Sequence, residues 1–167
     1  MDSRTAIRSD RNYRSFGEAN GRVVVHTEEL PWTPWALEGL RFKLLSINRR
    51  TGMWSCIIQI DPNTETDLHY HCGDAHIFAL KGGYRYEMER VNTGEQNVEI
   101  GSIAHSPIID PEGAEVYIFF NGGITGADAD RNPLGDYVNV DWMYKAALAN
   151  GAADHLPPPP LERSNWM

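Results

Sequence analysis

The sequence predicts an all-β fold, a sandwich or barrel of short strands followed by a single helix near the C-terminus. Short runs rich in β-branched and aromatic residues follow one another from Arg22 to Phe120, and each ends in turn-forming residues. No segment with helical periodicity separates these runs, as an α/β fold would require. The seven predicted strands are RVVVH, LRFKLLSI, MWSCIIQI, HIFAL, GYRYEMER, NVEI and EVYIFF.

Glycine and proline mark the predicted turns between the later strands. Lys81-Gly82-Gly83 is predicted to end HIFAL, and Asp110-Pro111-Glu112-Gly113 is predicted to precede EVYIFF. Glycine accepts the positive φ angles of tight turns, and proline is confined largely to strand ends and edges. Many short strands with such turns are typical of β-sandwiches and β-barrels.

The segment DWMYKAALANG, at 141–151, is the predicted helix. Asp141 is placed to cap its first turn, because a carboxylate there accepts hydrogen bonds from free backbone N–H groups. Asn150-Gly151 supplies a left-handed stop. The segment LPPPPLE that follows is predicted to be a stiff polyproline tail.

The chain is predicted to hold one domain with an extension at each end. Its 167 residues suffice for one hydrophobic core. Residues 1–21 form a predicted N-terminal arm, 22–150 the domain, and 151–167 a proline-rich tail. The arm lacks the apolar stretch of a secretory signal, and two cysteines, Cys56 and Cys72, are too few for a disulfide framework. We therefore expect a cytoplasmic location.

Composition limits the expected partners. Hydrophobic residues make up 41% of the chain and charged residues 23%, and the formal net charge is −8. An acidic protein repels the phosphates of nucleic acids and of anionic lipids. No apolar run is long enough to cross a bilayer. The expected partner is therefore a small-molecule substrate, and neither a nucleic acid nor a membrane.

The segment HYHCGDAHIFALKGG, at 69–83, concentrates histidine. His69 and His71 are two residues apart, so on a strand their rings share one face, about 6.5 Å apart. His76 begins the next predicted strand, from which a third ring could return to the same place. These could instead be surface histidines beside a turn. Two rings on one β face favour a metal site, because each nitrogen can bind a shared ion at about 2.1 Å.

This segment resembles the first motif of the cupins: a His-x-His pair, an acid beyond it, and a strand that ends in glycine. His76 stands where most cupins have Glu, a feature shared with cupins similar to 2,4'-dihydroxyacetophenone dioxygenase. Upstream, ELPWTPWALEGLRFKLLS resembles the Leu-Pro-Trp strand of the same group. The resemblance implies a single-domain double-stranded β-helix, or jelly-roll barrel, with a short C-terminal helix and a metal inside.

A second resemblance, to the acetylacetone-cleaving dioxygenases, concerns the region before EVYIFF. Those enzymes place a third metal ligand twelve residues before a strand tyrosine, which here leads from Tyr117 to His105. Glu99, six residues before His105, matches an acid at their pocket. The residues alone leave alternatives open: His105 as a buried structural histidine in a strand, and Glu99 as a solvated turn acid.

The resemblance implies a metal-dependent dioxygenase that cleaves a C–C bond of a chelating diketone or hydroxy-ketone. His69, His71 and His105 are the implied ligands, with His76 as a fourth, and Glu99 is the implied catalytic residue that orients or deprotonates the substrate. Fe²⁺ is the expected metal, with Zn²⁺ or Ni²⁺ as alternatives.

Two other function classes remain open from the sequence. One is a zinc-binding cupin with a sensory or structural role, and the other is a metal-dependent isomerase or hydrolase, because a fold does not fix the chemistry. The arm and the helix are expected to mediate a homodimer, since open sheet edges tend to find partners.

Overall fold

The computed structural model describes residues 24–157, which form two antiparallel β-sheets and one α-helix. The all-β fold with a helix near the C-terminus is thereby confirmed. Seven strands make the larger sheet and three the smaller one. The strands are β1 (Thr33–Pro34), β2 (Leu40–Asn48), β3 (Met53–Ile60), β4 (His69–His71), β5 (Ala75–Arg85), β6 (Arg90–Asn92), β7 (Gln96–Glu99), β8 (Ala104–His105), β9 (Ile108–Asn121) and β10 (Ile124–Gly126).

Strand β5 organises the larger sheet, whose order is β1-β2-β3-β9-β5-β6. β9 pairs with one edge of β5 along most of its length, while β7 and β6 pair with successive parts of β5. In the smaller sheet, β4 lies between β10 and β8. The smaller sheet therefore carries the His-x-His pair on its central strand.

Strand assignment from sequence was accurate for β2 and β3, which match LRFKLLSI and MWSCIIQI. The turns predicted at 81–83 and 110–113 are wrong, because β5 and β9 continue through them. Gly82 has φ +60° and Gly113 φ +79°, and the β5–β9 register shifts on both sides of Gly82. At each of these two positions the glycine with positive φ forms a β-bulge within a long strand, and the chain does not reverse there as it would in a hairpin. The predicted strand RVVVH is absent at 24–26, and its first two residues lie outside the described ones.

The core lies between the two sheets and follows the two-residue alternation of each strand. Phe42, Leu44, Trp54 and Cys56 are at most 1% exposed. The Trp54 and Phe120 rings stack with centroids 4.0 Å apart. Full burial of side chains of this size contributes about 1.5–3 kcal/mol each. These side chains all belong to the larger sheet, whose inner face therefore supplies much of the core.

The helix α1 (Val140–Ala149) is capped by Asn139 and not, as predicted, by Asp141. The Asn139 side chain accepts hydrogen bonds from the N–H groups of Asp141 and Trp142, both at 3.0 Å. Asp141 lies in the first turn, where its carboxylate contacts Arg49 at 3.2 Å. At the other end Gly151 has φ +66°, so the predicted left-handed stop is confirmed.

The described part of the predicted tail, residues 151–157, packs against the domain. Ala152, Ala153 and Leu156 are buried, and His155 Nε2 donates a hydrogen bond to Leu44 O at 2.8 Å. The predicted arm, residues 1–21, and the rest of the tail lie outside the described residues. Within the described part of the chain, no helix is long and apolar enough to cross a membrane.

Replacing Asn139 by alanine should lower the free energy of unfolding by about 1 kcal/mol, because two N–H groups of the first helical turn lose their acceptor. Asp141→Asn is the matched control. It keeps the size of the side chain and removes the ion pair with Arg49 and the negative charge of the first helical turn, so it should cost about 0.5–1 kcal/mol. Equilibrium urea unfolding measures both, and a larger loss for Asp141→Asn would contradict the assignment of the cap.

Candidate metal centre

Three histidine rings meet on the inner face of the smaller sheet. His69 and His71 lie two residues apart on β4, and His105 on β8 is the direct cross-strand partner of His69. The ring centroids are 5.2 Å apart for His69 and His71, 4.7 Å for His69 and His105, and 4.9 Å for His71 and His105. Strand alternation and cross-strand pairing together account for this convergence.

The larger sheet brings a carboxylate to the same place. Glu99 ends β7 and pairs with Ala75 of β5. Its Oε2 lies 3.1 Å from His71 Nε2 and 3.2 Å from His105 Nε2. One donor atom from each of His69, His71, Glu99 and His105 lies within 4.8 Å of all the others. We call these four residues the His/Glu cluster.

The hydrogen bonds of the cluster leave nitrogen lone pairs free for a metal. His69 Nδ1 lies 2.9 Å from Asp67 O, so Nδ1 must be the donor and Nε2 carries the lone pair. Burial lowers the pKa of His69 to about 4, which keeps the ring neutral at pH 7. Among the described residues, neither nitrogen of His71 nor Nε2 of His105 has a directed hydrogen-bond partner.

The spacing of the donors fits a divalent cation. Two ligands at about 2.1 Å from an ion, at right angles to each other, lie about 3 Å apart. The two Nε2–Oε2 separations of 3.1 and 3.2 Å agree with that value. Buried polar atoms without partners are rare unless something binds them. Imidazole and carboxylate donors suit Fe²⁺, Zn²⁺ and Ni²⁺, so the chemistry of the donors does not single out one metal.

Glu99 is buried, 8% exposed, and therefore not a solvated turn acid. Burial raises the pKa of its carboxyl, but close contacts with His105 and His71 outweigh burial and hold the pKa well below its usual range. Tyr86 Oη donates a hydrogen bond to Oε1. Asn97 Nδ2 donates to Tyr86 Oη at 3.0 Å. This chain of hydrogen bonds leaves Oε2 facing the histidines.

Tyr84 and Tyr86 face the interior, while Arg85 and Glu87 are exposed. The two tyrosine rings meet edge to face, with centroids 5.9 Å apart. Burial raises the pKa of each phenol, and the Glu99 carboxylate raises it further. Unlike Tyr86, Tyr84 Oη has no hydrogen-bond partner among the described residues. The sequence left open which pair faces inward, because the register of β5 was unknown.

His76, the predicted fourth ligand, lies outside the cluster. Ala75 and Ile77 are buried on the inner face of β5, so strand alternation turns His76 outward, where it is exposed. Its ring packs near Phe119, with centroids 6.3 Å apart. Glu99 is the side chain that joins the three other histidines in its place.

A cavity of 330 Å³ adjoins the cluster between the two sheets. His69, His71 and Glu99 line it, together with a largely aliphatic wall. Phe120 also lines it and stacks on the His71 ring, with centroids 5.7 Å apart and planes 10° apart. The volume lies at the lower end of the range for small-molecule sites.

The two facing antiparallel sheets with inward histidines on short strands define this protein as a cupin. More closely, the chain belongs to the ChrR cupin-like domain family, whose sequence model matches residues 20–125. Among curated proteins, no sequence matches this chain significantly.

Solved structures with the same fold include proteins of Ralstonia, Methylibium and Acinetobacter. An RmlC-like cupin of Ralstonia eutropha JMP134 has a TM-score of 0.70 at 18% identity, covering 86% of this chain and 94% of that one. A candidate acetylacetone dioxygenase of Methylibium petroleiphilum PM1 has a TM-score of 0.66 at 21% identity, with coverages of 79% and 95%. The acetylacetone dioxygenase of Acinetobacter johnsonii has a TM-score of 0.65 at 18% identity, with coverages of 77% and 91%. At these identities the likeness establishes the fold.

Tyr86→Phe should destabilise the metal-free protein by about 1–3 kcal/mol, because the buried Glu99 carboxylate loses its phenol donor. Tyr84→Phe is the matched control. Its hydroxyl lies near Asn97 and does not donate to Glu99, so its removal leaves the donor of Glu99 in place and should cost less than Tyr86→Phe. Urea unfolding of both variants at pH 7 measures the difference. Equal losses of stability would show that the Tyr86 hydrogen bond does not hold Glu99.

Proposed function

We propose that this protein is a metal-dependent dioxygenase that cleaves a C–C bond in a chelating diketone or hydroxy-ketone. The observation that carries the proposal is the His/Glu cluster at the wall of a cavity large enough for a small substrate. Three neutral imidazoles and one carboxylate would hold the ion, and the cavity gives a ligand direct access to it. The acetylacetone dioxygenase of Acinetobacter johnsonii, which shares the fold of this chain, supports the same proposal.

The net charge that the site would carry with a bound divalent ion favours an anionic, bidentate ligand. A divalent ion with three neutral rings and the Glu99 carboxylate carries one net positive charge. The enolate of a diketone carries one negative charge, so the assembled site is neutral, as a buried site surrounded by apolar walls requires. Four protein donors leave two positions in six-fold coordination, the number that two substrate oxygens need.

The protein residues fix the site before substrate arrives. The Asp67 carbonyl holds the tautomer of His69, and Phe120 packs flat against His71. Tyr86 holds Oε1 of Glu99, so that Oε2 stays directed at the histidine nitrogens. Such outer contacts keep ligands oriented and cost 10–100-fold in metal affinity or activity when removed. The aliphatic cavity excludes water from the bound substrate.

A bound Fe²⁺ ion would supply the redox chemistry by which dioxygen reacts with an electron-rich enolate. The reaction adds both atoms of dioxygen across the broken C–C bond and leaves two oxygenated fragments. It needs no further cofactor, which agrees with a cavity sized for one small substrate.

A second candidate function is a zinc-binding cupin with a sensory or structural role. The observation that favours it is the presence of four converging donors, the number of a closed tetrahedral zinc site. The family description, which names ChrR, is compatible with it. The cavity counts against a purely structural zinc site, which has no use for a ligand space beside it.

Alanine replacement of His69, His71 or His105 should each remove nearly all bound metal, since a missing ligand exposes the ion to exchange. His76→Ala is the control and should retain metal at the level of the unchanged protein. Elemental analysis of metal per subunit, on protein purified without chelator or nickel resin, measures this. Metal loss in His76→Ala would overturn the proposed ligand set.

Fe²⁺-loaded protein should consume dioxygen when supplied with a 1,3-diketone or a 2-hydroxy-ketone, as followed with an oxygen electrode. Zn²⁺-loaded protein should consume none, because Zn²⁺ has no accessible second oxidation state. The His71→Ala variant, loaded in the same way, controls for free iron. Tightly held zinc that Fe²⁺ cannot replace, with no oxygen uptake, would favour the second candidate function.

A further inference from the structure

The cavity beside the His/Glu cluster contains two buried hydroxyl groups without a hydrogen-bond partner. Tyr84 and Thr125 line the cavity, and each is at most 4% exposed. Among residues 24–157, neither Tyr84 Oη nor Thr125 Oγ1 has a partner. A buried hydroxyl that gives up water and finds no partner costs stability, so such a group at a cavity wall indicates a ligand that satisfies it.

The register of the smaller sheet separates the two hydroxyls. Thr125 of the edge strand β10 lies opposite Tyr70 of β4, between His69 and His71. Opposed residues share a face and successive residues alternate, so Thr125 is on the face away from the two histidine rings. Tyr84 is buried on the inner face of β5, which is turned toward the cluster. Of the two hydroxyls, that of Tyr84 is therefore on the side of the His/Glu cluster.

Tyr84 lies next to the cluster without belonging to it. Its ring meets the Tyr86 ring at 5.9 Å, and the Tyr86 ring lies 5.5 Å from that of His105. Oε1 of Glu99 accepts a hydrogen bond from Tyr86, and Oε2 faces His71 and His105. Both carboxylate oxygens thus have partners, and Tyr84 Oη bonds to neither.

The Tyr84 phenol is a hydrogen-bond donor that lacks an acceptor. Burial raises the pKa of the phenol and the Glu99 carboxylate raises it further, so Tyr84 keeps its proton at pH 7. The nearby Asn97 amide lowers this pKa, as a donor toward the phenol oxygen does. Asn97 Nδ2 also donates to Tyr86 Oη at 3.0 Å. The proton of Tyr84 is therefore available to an acceptor in the cavity.

A bound enolate would bring such an acceptor. Its two oxygens keep lone pairs that chelation of an ion does not use. Hydrogen bonds to an anionic oxygen are shorter and stronger than those between neutral groups. Within residues 24–157, no lysine or arginine lines the cavity, so a neutral donor such as a phenol is the kind that an enolate oxygen meets there.

We propose that Tyr84 is a substrate-binding residue whose hydroxyl donates a hydrogen bond to an oxygen of the bound enolate. This inference rests on the proposed function, because it takes as given that an enolate chelates an ion at the His/Glu cluster. It gives the two inward tyrosines of β5 different roles: Tyr86 holds a ligand of the ion, and Tyr84 holds the substrate. The Tyr84 hydrogen bond favours the enolate over the neutral diketone, because the acceptor carries the charge.

Binding of pentane-2,4-dione to Zn²⁺-loaded protein tests the inference without turnover. Dissociation constants come from titration calorimetry, with metal-free protein as the reference. Tyr84→Phe removes only the hydroxyl and should weaken binding about tenfold or more, while the metal content per subunit stays unchanged. Tyr117→Phe makes the same change on the outward face of β9 and should leave the dissociation constant within about twofold of the unchanged protein.

A second probe distinguishes a lost hydrogen bond from a change in the shape of the cavity. 1,1,1-Trifluoropentane-2,4-dione chelates through the same two oxygens, but its fluorine atoms withdraw charge from them and weaken them as acceptors. Tyr84→Phe should therefore weaken binding of this probe several-fold less than that of pentane-2,4-dione, whereas a distorted cavity would weaken both alike. Tyr84→Met also lacks the hydroxyl and should give the same pattern, should Tyr84→Phe fail to fold.

The outcomes separate this inference from the proposed function. Unchanged binding of pentane-2,4-dione in Tyr84→Phe, or equal losses for the two probes, overturns the role of Tyr84 and leaves chelation intact. A loss in Thr125→Val without one in Tyr84→Phe overturns it as well and assigns the donor to Thr125. If pentane-2,4-dione binds no better to Zn²⁺-loaded than to metal-free protein, chelation itself fails, and the inference fails with it.

Discussion

The candidate metal centre depends on one contact between the two sheets, the approach of the Glu99 carboxylate to the rings of His71 and His105. The rings belong to the smaller sheet, whereas Glu99 belongs to the larger one. The donor set is therefore complete only when the two inner faces pack together. An ion bound at the cluster would tie the sheets to each other, and its binding free energy would add to the stability of the fold.

Around this contact, hydrogen bonds decide which atoms are free to bind an ion. The Asp67 carbonyl accepts a hydrogen bond from Nδ1 of His69, and the Tyr86 hydroxyl donates one to Oε1 of Glu99. The opposite nitrogen of His69 and the other oxygen of Glu99, which faces His71 and His105, remain on the side of the cluster. Asn97 Nδ2 in turn donates a hydrogen bond to Tyr86 Oη. The ligand atoms are thus selected by their neighbours as well as by their positions on the strands.

The sequence predicts which side chains face the site where this depends on the two-residue period of a strand. It does not where the facing side depends on the register between strands. The shared face of His69 and His71 follows from alternation alone. The position of His76 depends on how the turn at 72–74 sets the phase of β5, and a change of one residue would turn every side chain to the other face. His105 and Glu99 reach the site through pairing with distant strands, which no local pattern reveals, so a resemblance had to suggest them. Asn139 was missed as the cap because Asp141, two residues on, has an equally suitable side chain.

On the proposed function, the charges of the cluster and the apolar wall select the same substrate. A divalent ion with the Glu99 carboxylate leaves one positive charge, which one enolate cancels. Any further negative charge on the substrate would have to lie against aliphatic side chains or near Asp67 and Asp136, where no described cation lines the cavity. Recognition of the chelating oxygens and rejection of further anionic groups are therefore two consequences of a single electrostatic arrangement, in which a bound ion would supply the positive charge that the described lysines and arginines do not bring to the cavity.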